Sequence, residues 1–266
     1  MAAYAYVGQH AASFDAGHWR SLAVSVTGPY HQRHDLSCED AAGAATDGRW
    51  LVAMVCDGAG SAQEARRGAE LVAQRVPAGL LQAAVESKGR RIRTLVRQQL
   101  DAARRELSHT AEAAELPISA FATTVVGLVA RGSHAVLFQI GDGAAVAFAD
   151  SGTPCAVLAA AEQEYANETY FLTDHSWNDS LRFMAVRTLR ACLLMSDGVT
   201  PFALESGGIK RSFVDPVLAC LDRHPAGPAG EALKRLLSSE QAGRQVGDDK
   251  TLLWASLAAG HDDSPP

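Results

Sequence analysis

Three short apolar runs of this chain each lead into an aspartate that stands beside glycine. The runs and their acidic ends are 51–56 before Asp57-Gly58, 135–140 before Gly141-Asp142-Gly143, and 191–195 before Ser196-Asp197-Gly198. Apolar runs of this length, bounded by turn residues, are typical of buried strands, so each carboxylate is predicted to lie at a strand end. A fourth acidic pair, Asp248-Asp249, stands just before the apolar run 251–257. Because the strands of a buried sheet end near one another, the fold is expected to gather these carboxylates.

Gathered carboxylates repel one another and resist desolvation unless cations lie between them. The candidate ligands are all carboxylates, which favours Mg²⁺, Mn²⁺ or Ca²⁺ over zinc. A glycine after the ligand lets the backbone turn sharply and lets a carbonyl face the ion. Two such ions can lower the pKa of a bound water and clamp a phosphoryl group. The pattern therefore predicts a hard-metal site that supports hydrolysis without a protein nucleophile.

One Asp-Gly pair does not belong to this set. Asp47-Gly48 lies between the apolar segments 41–45 and 50–55, so it is predicted to form a hairpin turn. Asp-Gly pairs are frequent in turns, and spacing alone therefore gives only weak support to a metal site.

The composition is that of an ordinary globular protein with a sizeable core, since 47% of the 266 residues are hydrophobic. We expect one domain over 1–266, with a core at about 22–258 and a flexible tail at 260–266. The net charge of −6, with Lys and Arg scattered, argues against a nucleic-acid or membrane surface. The five cysteines form no C-x-x-C pair, and no apolar run approaches the roughly 18 residues of a membrane span. A cytoplasmic, monomeric protein is predicted.

The periodicity predicts mostly antiparallel strands with helices in separate blocks, an α+β layered domain. A Ser61-x-x-Glu64 capping box is expected to start a helix that ends before Pro77, and a second helix is expected at 89–114. Short strands at 121–158 predict an antiparallel meander. The polar stretch 162–182 is predicted to be a surface excursion.

A set of short motifs occurs in a fixed order along the chain. They are Gly28-Pro29-Tyr30-His31, Cys38-Glu39-Asp40-Ala41, Val55-Cys56-Asp57-Gly58-Ala59-Gly60-Ser61, Ala122-Thr123-Thr124, Ile140-Gly141-Asp142-Gly143, Met195-Ser196-Asp197-Gly198-Val199 and Gly247-Asp248-Asp249-Lys250-Thr251. Each motif is weak, but their order and spacing resemble the metal-dependent (PPM, or type-2C) serine/threonine protein phosphatases. The resemblance is strongest to the bacterial branch, and it spans about 22–258.

The resemblance implies a four-layer α-β-β-α sandwich, in which two central antiparallel sheets are flanked by helices. It implies hydrolysis of phosphoserine and phosphothreonine in proteins by a water activated between two Mg²⁺ or Mn²⁺ ions, with a third ion in bacterial relatives. The implied partner is a phosphorylated protein, and bacterial relatives are often paired with a Ser/Thr kinase in signalling.

The resemblance also implies roles for individual residues. Asp57 would bridge the two metals, and the Gly58 carbonyl would bind one of them. Asp197 would bind the second ion and Asp248 the first, so Asp57, Asp197 and Asp248 would form the catalytic set. Asp249 stands where the family usually has Asn, and would support a ligand or substitute for one.

Three further acidic residues receive accessory roles from the resemblance. Glu39 and Asp40 would hold waters bound to the metals. Asp142 would support the third, weaker metal.

The chain departs from the family pattern at two places. The usual phosphate-binding arginine would fall at Asp35, so His31 is the first candidate for phosphate contact and Arg33 the second. Ala59 stands where some relatives carry a histidine that is a candidate general acid. These departures keep open a non-catalytic module that binds a phosphorylated partner or regulates a kinase, although the retained carboxylates argue against it. A two-metal hydrolase of nucleotides or nucleic acid is disfavoured by the acidic charge.

Overall fold

A computed structural model of the chain describes residues 3–7, 11–149, 152–160, 169–206 and 208–258. It contains two six-stranded antiparallel sheets. The first is formed, in spatial order, by β1 (Ala3–Val7), β4 (Ala41–Thr46), β5 (Trp50–Cys56), β6 (Val125–Arg131), β7 (His134–Ile140) and β10 (Arg182–Val186). The second is formed by β2 (Ala12–Ala16), β3 (Trp19–Val26), β14 (Lys250–Leu257), β11 (Ala191–Met195), β8 (Ala144–Phe148) and β9 (Pro154–Leu158).

The helices fall in separate blocks of the chain. They are α1 (Pro29–Arg33), α2 (Ala65–Glu86), α3 (Ile92–Ala113), α4 (Trp177–Ser180), α5 (Thr200–Ala203), α6 (Arg211–Arg223), α7 (Ala226–Leu237) and α8 (Glu240–Gln245). A 3₁₀ turn at Ile118–Phe121 precedes β6, and a short ribbon pairs β12 (Leu204–Glu205) with β13 (Gly208–Ile209). Among the described helices, none combines the length and the apolar composition that crossing a membrane requires.

The central strands are buried on both faces, as β5 illustrates. Its residues Val52 and Met54 pack into a cluster with α2 and α3, whereas Leu51 and Ala53 face the second sheet. Strand residues alternate between faces, so a strand between two apolar layers must be apolar at every position. A third cluster joins the second sheet to α6 and α7. The layers are therefore α-β-β-α, which confirms the predicted fold class.

Helix α2 does not end before Pro77 as predicted. It runs from Ala65 to Glu86 with the proline inside it, and Val76 and Leu80 are buried on either side of Pro77. Burial against the first sheet outweighs the interior-proline cost of about 3 kcal/mol. The predicted capping box is also absent, because the helix starts at Ala65 with Glu64 as an N-cap whose side chain makes no capping hydrogen bond.

The predicted meander at 121–158 is divided between the two sheets. Strands β6 and β7 pair in the first sheet, and β8 and β9 pair in the second. The chain crosses between them at Gly141-Asp142-Gly143, where Gly141 has a left-handed φ of 94° that favours glycine. Strands in either sheet have the same apolar pattern, so the pattern could not reveal this crossing.

The Asp47-Gly48 turn is confirmed, since Asp47 Oδ1 accepts hydrogen bonds from the backbone N–H of Arg49 and Trp50.

The predicted surface excursion at 162–182 is confirmed only in part for the residues that the structure describes, since 175–176 and 178–179 are exposed but other positions are anchored in the core. Leu172 is fully buried and its N–H donates to the carbonyl of Thr123 at 2.9 Å, and Trp177 is 9% exposed. Residues 161–168, like the predicted flexible tail at 260–266, lie outside the described residues. All five cysteines are free, and Cys38, Cys56 and Cys192 are buried.

The close packing of α2 on the first sheet can be tested at Gly43 in β4. An added Cβ there would overlap the carbonyl oxygen of Ala73. We expect Gly43→Ala to lower the free energy of unfolding by about 1–3 kcal/mol, because the helix must move away from the sheet. Gly79→Ala in α2 is the matched control, since only the flexible side chain of Gln99 must move and the helix gains propensity. Urea denaturation measures both, and equal stability of the two variants would contradict this packing.

Candidate metal centre

The antiparallel register brings the predicted acidic positions to one end of the sandwich. In the first sheet the start of β4 pairs with the end of β5, through Ala41 and Cys56. Asp40 immediately precedes the first of these residues, and Asp57 follows the second. The two carboxylates therefore leave neighbouring strands at the same edge.

The second sheet contributes its acidic residues at the same end. Met195, the last residue of β11, pairs with Leu252 near the start of β14, so Asp197 and Asp248 come from adjacent strand ends. Met195 also pairs with Ala144, the first residue of β8. The segment Gly141-Asp142-Gly143, where the chain crosses between the sheets, leads directly into Ala144.

Two threonines fix the main chain of Asp57. The carbonyl of Asp57 accepts hydrogen bonds from Thr124 N at 2.8 Å and from Thr123 Oγ1 at 3.0 Å. The N–H of Asp57 donates to Thr124 Oγ1 at 3.2 Å. Gly58 continues this contact as a bridge to Thr123, and a Cβ on Gly58 would approach the carbonyl carbon of Ala65 to 2.8 Å. The glycine thus lets the start of α2 approach the strand end.

The carboxyl groups of Asp57 and Asp197 are close neighbours, and each influences the pKa of the other. Burial raises the pKa of Asp57 well above its ordinary range, and the charges of Asp40, Asp197 and Asp142 raise it further. Burial likewise raises the pKa of Asp197. The pair is therefore costly to ionise without a compensating cation.

Asp40 links the two sheets at this end. It is 2% exposed, and its Oδ2 accepts a hydrogen bond from Ser196 Oγ at 2.8 Å. Ser196 Oγ in turn accepts from Thr251 N at 3.0 Å, so one hydroxyl joins β11, β14 and the approach to β4. Burial, followed by the charge of Asp249, raises the pKa of Asp40.

Three buried carboxylate oxygens here have no hydrogen-bond partner among the described residues. They are Asp40 Oδ1, Asp197 Oδ1 and Glu39 Oε2. His31 Nε2 stays 3.8 Å from Glu39 Oε2, beyond hydrogen-bond distance. Burial also raises the pKa of Glu39. Unpartnered carboxylate oxygens that resist ionisation fit hard divalent cations, which prefer oxygen ligands.

The side chains do not form a complete ligand set as they stand. Over the described ranges, no three acidic, histidine or cysteine side chains converge in the arrangement of a metal site. Metal binding would require the carboxyl groups of Asp57 and Asp197, whose pKa values are raised by burial, to ionise beside a cation.

Asp249 is buried and organises the surrounding backbone. Its Oδ1 accepts from Gly28 N at 2.7 Å, and its Oδ2 accepts from Glu39 N at 2.6 Å. His31 Nδ1 lies 2.9 Å from the same Oδ2. Both oxygens of Asp249 are thus engaged, so the arrangement favours support of Glu39 and His31 over direct ligation.

The two predicted phosphate contacts differ in exposure, because His31 is buried and Arg33 is exposed. His31 is 5% exposed and engaged by Asp249. Arg33 lies on the exposed side of α1, where its Nε donates to the carbonyl of Pro29 at 3.1 Å. It lines a cleft with Ser239 and Arg244 of the α8 region. The helical turn after Gly28 directs both side chains, and the motif spacing could not show this.

Asp142 and Asp248 lie at the rim of the acidic end. Asp142 is half-buried, and its Oδ2 accepts from Thr169 Oγ1 at 2.7 Å. Asp248 is exposed, and its Oδ1 accepts from the N–H of Asp249 at 2.8 Å. The charges of both residues raise the pKa of Asp197, which shows that they are its electrostatic neighbours.

Lys250 is a buried cation behind this end that the sequence analysis did not identify. It is 1% exposed, and its Nζ donates to the carbonyls of Asp248 at 2.7 Å and Val246 at 2.9 Å. Burial lowers its pKa, whereas the neighbouring carboxylates, Asp248 first, oppose that shift. The sequence feature that could have identified Lys250 is its position directly after two aspartates, at the start of an apolar run.

Comparison with known proteins agrees with this architecture. The family model described as Protein phosphatase 2C matches residues 27–238. Serine/threonine-protein phosphatase 3 of Escherichia coli (strain K12) is 30% identical over 251 residues, which cover 89% of this chain and 99% of that protein.

Solved structures share the fold at low sequence identity. Serine-threonine phosphatase 2C from Toxoplasma gondii superposes with a TM-score of 0.66 at 12% identity, over 96% of this chain and 99% of that chain. RsbX in complex with magnesium superposes with a TM-score of 0.54 at 11% identity, over 93% and 100% of the two chains. From the family match and the Escherichia coli relative together, the chain belongs to the protein phosphatase 2C family.

Proposed function

We infer that the chain is a metal-dependent protein serine/threonine phosphatase, because it belongs to a metal-dependent phosphatase family and aligns over nearly its full length with a serine/threonine-protein phosphatase. We propose further that two Mg²⁺ or Mn²⁺ ions act at the acidic end, and that Asp57, Asp197 and Asp248 hold them. In this proposal Gly58 contributes its carbonyl, Glu39 and Asp40 hold waters, Asp249 holds the supporting backbone, and Asp142 serves a third ion.

One observation carries the assignment of this end as the catalytic centre. The buried oxygens Asp40 Oδ1, Asp197 Oδ1 and Glu39 Oε2 lack partners within the described ranges, beside an Asp57 whose ionisation is strongly disfavoured. A fold gains nothing in stability from such a cluster alone. The cluster is explained if cations complete it.

Cations held there would activate water for attack on phosphorus and offset the negative charge of the phosphoryl group. The neighbouring side chains of the protein hold the carboxylates in position. Thr123 and Thr124 hold the main chain of Asp57, and Ser196 orients Asp40. These contacts keep the carboxylates at fixed strand ends, which reduces the reorganisation that binding requires.

Binding of the substrate phosphate is assigned to the cations and not to a side chain. His31 is buried and engaged by Asp249, and the exposed Arg33 lies on α1 with its Nε bonded to the carbonyl of Pro29. Ala59 has no proton to give to a leaving serine or threonine oxygen. We therefore expect slower turnover of alkyl phosphoesters than of aryl phosphoesters, whose leaving groups need less protonation.

We also propose that the chain acts as a single monomeric phosphatase unit in the bacterial cytoplasm, opposite a Ser/Thr kinase that phosphorylates the same protein. The support is the near full-length match to a bacterial phosphatase. A non-catalytic module that binds phosphorylated partners would bind metal and phosphopeptide without releasing phosphate, so the assays below distinguish it.

Replacing the proposed ligands tests the centre. We expect Asp57→Asn and Asp197→Asn to lower kcat on a phosphothreonine peptide with Mn²⁺ by about 100-fold or more, because residues that only support metal ligands already cost about 10–100-fold. Asp47→Asn, at the hairpin turn, is the control and should retain activity. Turnover in Asp57→Asn equal to that of the wild type would refute the assignment, and wild-type metal binding without turnover would support the non-catalytic module.

Stability in chelator should depend on pH through Asp57. Its raised pKa means that the folded state binds more protons than the unfolded state above the ordinary aspartate range, so the free energy of unfolding falls as pH rises. We expect the wild type to lose stability relative to Asp57→Asn between about pH 5 and 8, and Mn²⁺ to reduce the difference. Denaturant titration at several pH values measures this, and parallel pH profiles would argue against a buried, uncompensated Asp57.

Asp249 should stabilise the protein without being a ligand. Asp249→Ala leaves the N–H groups of Gly28 and Glu39 without their buried acceptor, so we expect the free energy of unfolding to fall by about 2–4 kcal/mol. Asp47→Ala also removes an acceptor of two backbone N–H groups, but at an exposed turn, and should cost about 1 kcal/mol. Equal losses in the two variants, measured by urea denaturation in chelator, would show that Asp249 has no special structural role.

A further inference from the structure

A second cleft lies at the end of the first sheet opposite the metal centre. Strand β5 begins at this cleft with Trp50 and ends beside Asp57, so its seven residues separate the two sites by about 20 Å. The cleft has a volume of about 550 Å³. Its walls come from the start of β5, the β6–β7 hairpin, the end of β10 and the connection between α2 and α3.

The charged lining of this cleft is entirely basic. Four cationic side chains line it: Arg49, Lys88, Arg131 and Arg187. No carboxylate lines it, and within the described part of the chain none of the four forms a salt bridge. The chain as a whole has 30 acidic and 24 basic residues, so this grouping runs against its overall charge. Gathered like charges without counter-charges favour an anionic ligand.

The nearest acidic residues along the chain have other contacts. Asp47 accepts hydrogen bonds from the backbone of Arg49 and Trp50, and Glu86 accepts one from Gln82. They lie outside the lining and leave the cations facing the cleft.

The remaining wall is apolar and aromatic. Trp50 is partly exposed, and the guanidinium carbon of Arg131 lies 5.6 Å from the centroid of the indole ring. Ile92, Val129 and Val136 continue this wall. An indole beside a guanidinium suits the face of a flat heteroaromatic ring.

The backbone around Lys88 has an unusual conformation. Lys88 and Arg91 have left-handed φ values of 53° and 56°, which few non-glycine residues adopt. Arg91 is the N-cap of the 22-residue helix α3, and this N-terminus has no side-chain cap. Ile92, the first residue of that helix, lines the cleft, so the positive end of the helix dipole adds to the basic lining.

We propose that this cleft binds a nucleoside polyphosphate. The phosphates contact Arg49, Lys88 and Arg187, and the base lies against Trp50 and the apolar wall. The volume falls within the range of about 300–1,000 Å³ found for small-molecule sites. A cleft with a basic rim and an aromatic wall matches a ligand with both polyanionic and flat apolar parts. This site is separate from the metal centre and does not depend on the proposed phosphatase activity.

Calorimetric titration of the full-length chain with ATP, ADP and GTP in excess chelator tests the proposal. Chelation leaves the acidic end without cations that could hold phosphate, so binding reports on the basic cleft. We expect saturable 1:1 binding of at least one nucleotide. Adenosine and inorganic tripolyphosphate should each bind at least about tenfold more weakly, because adenosine lacks the phosphates and tripolyphosphate lacks the base.

A charge-reversal pair locates the binding. Arg49→Glu with Arg187→Glu changes two exposed side chains of the cleft, and should weaken nucleotide binding about tenfold or more while thermal unfolding stays unchanged. Lys234→Glu with Arg235→Glu, two exposed positions on α7, makes the same charge change elsewhere and should leave binding unaltered.

Four outcomes would overturn the proposal. They are absence of saturable nucleotide binding, equal binding of tripolyphosphate, equal binding of an acidic peptide such as hexaglutamate, and equal losses in the two charge-reversal pairs. Loss of phosphatase activity in Asp57→Asn with retained nucleotide binding would leave both proposals standing.

Discussion

The central strands of this protein are buried on both faces, so the chain can place charge only where those strands end. Strand β5 shows the constraint, since every residue from Leu51 to Cys56 is buried and the first carboxylate after it is Asp57. In β11 the residues Cys192 to Met195 are buried, and the first carboxylate after the strand is Asp197. The antiparallel register then brings these ends together, and an acidic centre follows from a sandwich whose interior excludes charge.

The buried carboxylates of the acidic end lower the stability of the fold. Burial raises the pKa of Asp57, Asp40 and Asp197, so each resists ionisation in the fold. Neutral hydrogen bonds from Thr123, Thr124 and Ser196 fix the geometry without neutralising the charge. Cations held among these carboxylates would offset that cost, which fits the metal dependence of the family.

Strand ends and the layered fold could be predicted from the sequence because both depend on local hydrophobic patterns. Asp57, Asp197 and Asp142 stand within two residues of the ends of apolar runs, and the structure brings all three to one end of the sandwich. The course of α2 through Pro77 could not be predicted, because it depends on packing against the first sheet. The engagement of His31 by Asp249 depends on residues 218 positions apart. Lys250 was missed because a lysine is ordinarily placed at the surface.

Lys250 gives the acidic end a counter-ion that is covalently part of the chain. Its ammonium group is enclosed by the carbonyls of Val246 and Asp248, next to the carboxylates of the centre. A chelator removes exchangeable ions but cannot remove this one, and dilution cannot reduce its local concentration. Part of the negative charge is thus balanced within the folded chain itself. The chain therefore keeps this part of the charge balance whether or not a metal ion is bound.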